Sequence, residues 1–575
     1  MIARARRLAA LAAAAAVLAG CASIPHTSEV QQGNADVLPV APLQPIQEGP
    51  NPSDDPAAIV TGFLTASAGG VASDFSVARE FLTESAAASW DPAAQTRVYR
   101  SGAVTPEWDE DANTVTYAVP LASTVDESGR RADSPDGTVA ELSFTVAQDS
   151  AGRWRISELE DGVVISQANF TRFFRPVDLV FATADLTTAV PEIRWLADNN
   201  VVTSAARELV EGPSTWLADA VRTGFPATAT LAVESVVVTD GTASVDLTPQ
   251  SAGTPEDRAL AAEQMRATLE ALPNVTDVEV RIGGLPFASD APIVLASAPV
   301  PEPRAVAIAG GRLGSWDGDE LRVTADAVGG VGQGAYGVAR AYADGEVAYV
   351  QGGALHVTDA VADTVLLVAR DPEAPSPEAA LESTVLLTGD DLVAPSYDRH
   401  GYLWTAEAEG GAGIVAVAPD AAVTSLASEW AQTRSIVGVS VSRDGARIAL
   451  LSRSGGQPVL EVAGVIRDET GAPVAIGEHV QIGTGVGAGV DVLWVDQDTI
   501  GVLGEPVDGA SSPLWLVDVG GGTSTVGSVP DAVDATARAG EATLLVVSAD
   551  GRVDERSGTA WALVLEGVDE LAYSG

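Results

Sequence analysis

The residue types able to do chemistry are few in this chain, and their spacing narrows what they could do. All 32 basic residues are arginine. The absence of lysine removes a Walker-type phosphate ligand, Schiff-base chemistry, a lysine general base and a Ser-Lys dyad. The four histidines are His26, His356, His400 and His479. None forms an HExxH or other close pair, so a zinc site would need distant residues to converge. No Gly-x-Ser-x-Gly elbow marks a serine hydrolase. Asp109-Glu110-Asp111-Ala112-Asn113-Thr114 begins like a calcium loop, but Thr114 stands where glycine is needed and Pro120 where the closing glutamate belongs, so it reads as a solvated turn. Asp444 with Asp398 or Asp496 could converge as the two carboxylates of a glycosidase, yet turn chemistry alone explains aspartate before glycine. These residues predict no catalytic site, no metal, no cofactor and no enzyme.

The single cysteine carries a sharper signal. Arg4, Arg6 and Arg7 precede an uncharged apolar run from Leu8 to Leu18, and Leu18-Ala19-Gly20 stand directly before Cys21. This is the build of a secretory signal over residues 1–20, too short to span a bilayer core that needs about 20 apolar residues. The segment resembles the bacterial lipobox. That resemblance implies cleavage before Cys21, addition of S-diacylglycerol and an N-acyl chain to it, and a protein anchored by lipid to the extracytoplasmic face of the cell membrane. Two chains hold durably where one holds only marginally. An ordinary secretion signal followed by an incidental cysteine is the alternative. With one cysteine there is no disulfide, so stability must come from burial.

Composition sets the remaining bounds. The 575 residues allow three or four domains, and 46% hydrophobic with 19% charged residues predicts a globular chain. Asp and Glu number 79, giving a formal net charge of −47. Nucleic-acid binding requires clustered positive charge, so nucleic acid is excluded as a partner.

The elements fall into a tether and three folded units. Residues 21–56 hold the anchor and seven prolines among polar residues, an extended spacer of roughly 3 Å per residue if polyproline-like. Residues 57–169 begin with an amphipathic helix over 57–68 and a second helical stretch over 75–88. Strands follow over 114–121, 139–147 and 154–159. Two helices on a curved antiparallel sheet are similar to the cone-shaped NTF2-like α+β fold. Residues 170–290 read as a strand over 173–182, a helix ending at Gly212-Pro213 with Gly212 as a left-handed cap, and a hairpin of 233–239 and 242–247 around Asp240-Gly241. A helix over 256–272 and a strand over 278–282 complete the unit. Beyond 291 the chain turns to short apolar strands. Tyr342–Gly345, Asp398–Gly401, Ser442–Gly445, Asp496–Thr499 and Ser548–Gly551 align as turns 44 to 56 residues apart. That is the period of propeller blades. Five turns and the strands at 304–309 and 561–565 predict six blades, with the chain ends sharing one, or seven. A pair of two-sheet sandwiches would not need the period. Trp404, Trp430, Trp494, Trp515 and Trp561 all lie in this half, most of them expected in blade packing.

The motifs Ala205–Pro213, Asp240–Leu247 and Thr268–Pro273 with Val275–Val278 resemble the GerMN domain of sporulation and spore-germination proteins, for which no catalytic residue carries over. Lipobox, proline-rich tether, α+β unit, GerMN-like domain and propeller, in that order, resemble the LpqB family of actinobacterial lipoproteins along essentially the whole chain. The resemblance implies a non-enzymatic accessory of a two-component system. Its partner would be the extracellular domain of an MtrB-like sensor histidine kinase, and its effect would be on cell-wall homeostasis and division. A lipoprotein that binds cell-wall material or a small ligand is the alternative, and a glycan-cleaving propeller a further one.

Overall fold

The computed structural model describes residues 48–575 apart from 103–104, 288–290, 324–330, 333, 344, 359–382, 409–412, 427, 508 and 510. Leu18, Ala19, Gly20, Cys21 and the tether up to residue 47 lie outside the described residues, as does Asp344 of the first predicted turn.

Helix Pro56–Gly70 starts where Pro56 needs no amide partner and Asp55 accepts a hydrogen bond from the Ala58 amide. It buries Ile59, Val60 and Phe63, and Phe63 meets Trp90 and Phe144 edge-on at 5.2 and 6.1 Å. The helical stretch expected over 75–88 is two short helices, Ser76–Arg79 and Glu84–Ser89. Between them Leu82 bridges Ile156, and Thr83 donates its amide to the Ile156 carbonyl while its hydroxyl caps the second helix. A strand contact and a cap thus interrupt the helical period. The sheet beneath runs Trp154–Glu158, Val139–Gln148, Thr114–Asp126, Gln95–Tyr99, Val163–Ser166, with Pro106–Asp109 and Arg131–Asp133 also on the long central strand. All pairs are antiparallel except Gln95–Tyr99 with Val163–Ser166. Asp109–Thr114 is a hairpin turn in which Asp109 accepts from the Asp111 and Ala112 amides.

In the middle domain Phe173 ends a helix, Gln167–Phe173, capped by Ser166, and the strand expected from it starts at Phe174. Strand Phe174–Ala182 pairs with Ala189–Ala197 along its length. Helix Val201–Glu211 ends at Gly212, whose φ of 100° comes with a ψ of −176°. The expected left-handed cap is therefore an extended positive-φ residue, because Pro213 forbids the preceding residue a helical ψ. Asp240 and Gly241 both take positive φ, as a tight hairpin requires. The first hairpin strand is only Val237–Thr239, since the Val236 amide turns away to the Thr203 hydroxyl. Thr242–Leu247 and Asp277–Ile282 are parallel, joined through helix Pro255–Glu270, whose start carries a Thr254–Asp257 capping box.

Among the described residues the remaining strands form six four-stranded blades. Their inner strands are Tyr336–Arg340, Ser396–Tyr397, Ser435–Val441, Gly489–Trp494, Ala532–Ala537 and Glu570–Ala572, each against the next in a closed ring. In blade one, Glu570–Ala572 pairs with Ala305–Ala309, followed outward by Arg312–Trp316 and Leu321–Val323. The chain ends share that blade, and the count is six. Four of the five aligned turns join the first strand of a blade to its second. Ser548–Gly551 instead joins the second strand of blade six, Leu544–Ser548, to its third, Arg552–Ser557. Turn chemistry marks a hairpin without saying which hairpin of the blade it is.

Leu571 is buried among Ala305, Ala307, Trp316, Leu545 and Val547, so it packs the closing strand both within its own blade and against blade six. Leu571→Ala is expected to lower folding stability by about 2–4 kcal/mol, read as a shift of the denaturant midpoint.

Candidate functional site

The turns between first and second strands gather on one face of the propeller, and the GerMN-like domain contacts that face at blades three, four and five. Arg447, just after the Ser442–Gly445 turn, is fully buried. It donates to Asp444 Oδ2 at 2.5 Å, to the Gln497 carbonyl at 2.7 Å and, across the domain boundary, to the Pro191 carbonyl at 3.2 Å. Its guanidinium also lies over Trp494. Arg399 pairs with Asp185 at 2.6 Å and donates to the Asp444 carbonyl. Ala446 packs into the GerMN-like core, and Gly464 lies against Ala220 and the Trp216 carbonyl. Trp195 donates its indole N–H to the Gly520 carbonyl at 2.8 Å, and the Gly522 amide donates to Asp133.

These contacts decide the fate of the carboxylates that could have formed a glycosidase pair. Asp398 is fully buried and accepts from Arg467 at 2.5 Å, from the Trp404 indole and from the His400 and Tyr402 amides. Asp444 is equally buried, holding Arg447, the Ser442 hydroxyl and the Ala446 amide. Asp496 accepts from the Asp498 and Thr499 amides, an ordinary turn cap. Asp444 and His400 border a pocket of only about 20 Å³, room for one water. Burial, with Arg467 and Arg399 nearby, lowers His400 to about 4.

The propeller axis encloses a larger channel of about 110 Å³. Arg443 and Tyr342 line it toward the covered face. Arg443 donates from one nitrogen to the carbonyls of Trp494, Val495 and Ala537, at the ends of the inner strands of blades five and six. Burial pushes Tyr342 up to about 12. Toward the other face stand Asp491, Asp534 and Glu570, which sequence reasoning missed. Asp534 accepts from the Leu571 amide at 3.2 Å and Glu570 from the Val338 amide at 3.0 Å, each reaching the inner strand of the next blade. Asp491 accepts from its neighbour Val492 and is also stabilised by the Ala535 amide of the next blade. Burial pushes Asp491 up to about 6 and Glu570 to about 7. Asp534 is raised by burial and by Asp491 and Glu570 beside it. A signal existed: Val490-Asp491-Val492 and Val533-Asp534-Ala535 place an acid between apolar residues 43 positions apart.

Elsewhere His356 stacks on Tyr349, and His479 stacks on Trp430 at 4.4 Å beside the buried Glu461. Trp404 and Trp494 are core residues, while Trp430, Trp515 and Trp561 pack partly buried against blade cores. Among the described residues no group of three His, Cys, Asp or Glu is arranged to hold a metal ion.

Three family models match the chain in order: the lipoprotein LpqB N-terminal domain over residues 49–171, a sporulation and spore germination domain over 177–287, and the lipoprotein LpqB beta-propeller domain over 311–571. The chain is similar to Lipoprotein LpqB of Thermobifida fusca, 27% identical across 91% of this chain and 92% of the relative. It is 27% identical to Lipoprotein LpqB of Cutibacterium acnes over the full length of both. Among solved structures, the tandem GerMN domains of the Bacillus subtilis sporulation protein GerM match at 19% identity and a TM-score of 0.18, covering 25% of this chain and 58% of that one.

Two measurements follow from the geometry. Arg447→Met leaves Asp444 buried without its cation and is expected to cost about 3–5 kcal/mol of stability in denaturant unfolding. Carboxyls whose folded pKa is raised keep protons that the unfolded chain has lost, so their contribution is full below about pH 4 and disappears as pH rises through 6 to 7. Glu570→Gln keeps an acceptor for Val338 without the charge. It is expected to be more stable than the parent by about 1–2 kcal/mol at pH 8, after discounting for solvent in the channel, and equal to it near pH 4.

Proposed function

Because the chain belongs to the family of LpqB lipoproteins, we propose that it is a non-enzymatic, lipid-anchored surface protein that modulates the extracellular domain of an MtrB-like sensor histidine kinase, and through it cell-wall homeostasis and division. The observation that carries the non-enzymatic part is the fate of Asp398 and Asp444. Each is consumed by an arginine and by turn or indole donors, so neither is free to move a proton. A body whose charged groups are spent on holding domains together is suited to present surfaces. Modulation of a kinase then requires differential binding to two of its states.

Lipid attachment at Cys21 supports the same reading. Among the described residues no helix is long and apolar enough to cross a membrane. An anchor at Cys21 would hold the protein on the same membrane face as a sensor domain, raising effective concentration until weak contacts count. A second reading, a binder of cell-wall material or a small ligand, is favoured by the channel with its half-buried carboxylates. A ligand of that kind raises the melting temperature of the protein progressively as its concentration exceeds its Kd.

In-cell crosslinking of the anchored protein, compared with Cys21→Ala, separates these readings. Recovery of a sensor histidine kinase with the parent but not with Cys21→Ala is the expected result, with the variant shifted from the membrane to the soluble fraction. Recovery of wall polymer in place of a kinase would favour the second reading. Unchanged kinase output with a fully soluble variant would overturn the first.

A further inference from the structure

The seam that blade five forms with the N-terminal and GerMN-like domains carries more negative charge than its cations neutralise. On the propeller side stand Asp496, Asp498 and Asp518, on the connections that follow the inner strand and strand Ser511–Asp518. Opposite them are Asp178 on strand Phe174–Ala182 and Asp133 on strand Arg131–Asp133. The seam's cations are Arg447 and Arg131, and each has a carboxylate of its own: Asp444 at 2.5 Å and Asp133 at 2.8 Å. Asp498 reaches Arg447 only at 3.5 Å. Among the described residues neither Asp178 nor Asp518 forms an ion pair.

The ties that close this seam are few. Trp195 donates to the Gly520 carbonyl, the Gly522 amide to Asp133, and Arg447 to the Pro191 carbonyl. Gly520 lies so close to Ile193 that a Cβ there would clash. We propose that the seam is a proton-operated latch: with Asp178, Asp498 and Asp518 neutral these ties hold the N-terminal and GerMN-like domains on blade five, and ionisation of the three carboxylates loosens them.

The working range follows from the surroundings. Burial pushes Asp498 up to about 7, opposed by Arg447 and reinforced by Asp178, Asp518 and Asp496. Burial pushes Asp518 to about 6, opposed by the Gly520 amide and Arg131 and reinforced by Asp178 and Asp496. Asp178 is also raised by partial desolvation in the seam, against Arg447, although it keeps an exposed edge. Such groups stabilise the closed seam at low pH and lose that contribution as pH rises through 6 to 7. Two other titratable groups sit on the same domain boundary and stay silent there. His400 is lowered to about 4 and so is neutral above pH 6. Asp185 is held well below the usual carboxylate range, despite burial, by Thr183, Thr187 and Arg399.

The test is hydrogen–deuterium exchange of the full chain at pH 6 and pH 8, corrected for intrinsic rates, on the segment carrying Gly520–Gly522. The comparison is with Asp178→Asn/Asp498→Asn/Asp518→Asn. In the parent, seam opening should increase about tenfold across this interval, the weight of one unit of pKa displacement. The variant should stay flat, while core amides of strand Leu544–Ser548 remain equally protected in both proteins and certify that the variant is folded. Asp498→Asn alone should remove most of the change if the triple variant folds poorly. A parent seam whose protection is the same at pH 6 and pH 8 overturns the latch, as does an equal loss in the folded variants.

Discussion

One buried guanidinium bridges two propeller blades and the GerMN-like domain. Arg447 lies at the meeting point of blade four, blade five and the strand pair of the GerMN-like domain, and its donors are divided among all three. A buried arginine is tolerable only when its charge and its N–H groups are both satisfied. Asp444 supplies the charge, while the carbonyls of Gln497 and Pro191 take the remaining donors. The rest of the covered face follows from that constraint. Asp444 must stay buried beside Arg447, its turn must hold that geometry, and Ala446 must enter the neighbouring core.

Ring closure presents the opposite electrostatic problem. Around the channel the inner strands have amides that no strand of the same blade can take, because those strands have no inner neighbour of their own. Asp491, Asp534 and Glu570 offer carboxylate oxygens to the next blade along, so blades five, six, one and two are chained by side chain to backbone. The closing strand Glu570–Ala572 is held from both sides, once as donor through Leu571 and once as acceptor through Glu570. Concentrating three acids raises their pKa values, a cost that falls on the charged form only. The acids at the domain seam obey the same rule, with burial again the largest cause.

The amino-acid sequence revealed the architecture more readily than the site. Period and turn chemistry were enough for the propeller, since Asp398–Gly401, Ser442–Gly445 and Asp496–Thr499 each follow an inner strand. They failed at Ser548–Gly551 because a turn's local energetics are indifferent to its place in the blade. The helix–strand order of the middle domain was legible from caps and hairpin residues. The split of 75–88 into two helices was not, since it depends on Ile156, which lies far along the chain. Asp491 and Asp534 look like isolated charges in apolar strands until a ring brings them together. Arg447 gives no local signal at all, because Pro191 and Gln497 become its partners only after two domains have docked.

The arginine-only composition has a structural consequence. A chain with one cysteine cannot cross-link its domains covalently, and its buried cations do part of that work. Arg443 ties two inner-strand ends through three carbonyls from a single nitrogen, Arg467 links Asp398 to the Gly445 and Gly471 carbonyls, and Arg399 reaches from a blade turn to Asp185. A planar fork with five donors can satisfy several fixed carbonyls at once, whereas an ammonium group is a compact charge on a longer flexible stem. Lysine at these positions would leave carbonyls unpaired inside the seam. The domain arrangement therefore depends on the shape of the guanidinium as much as on its charge.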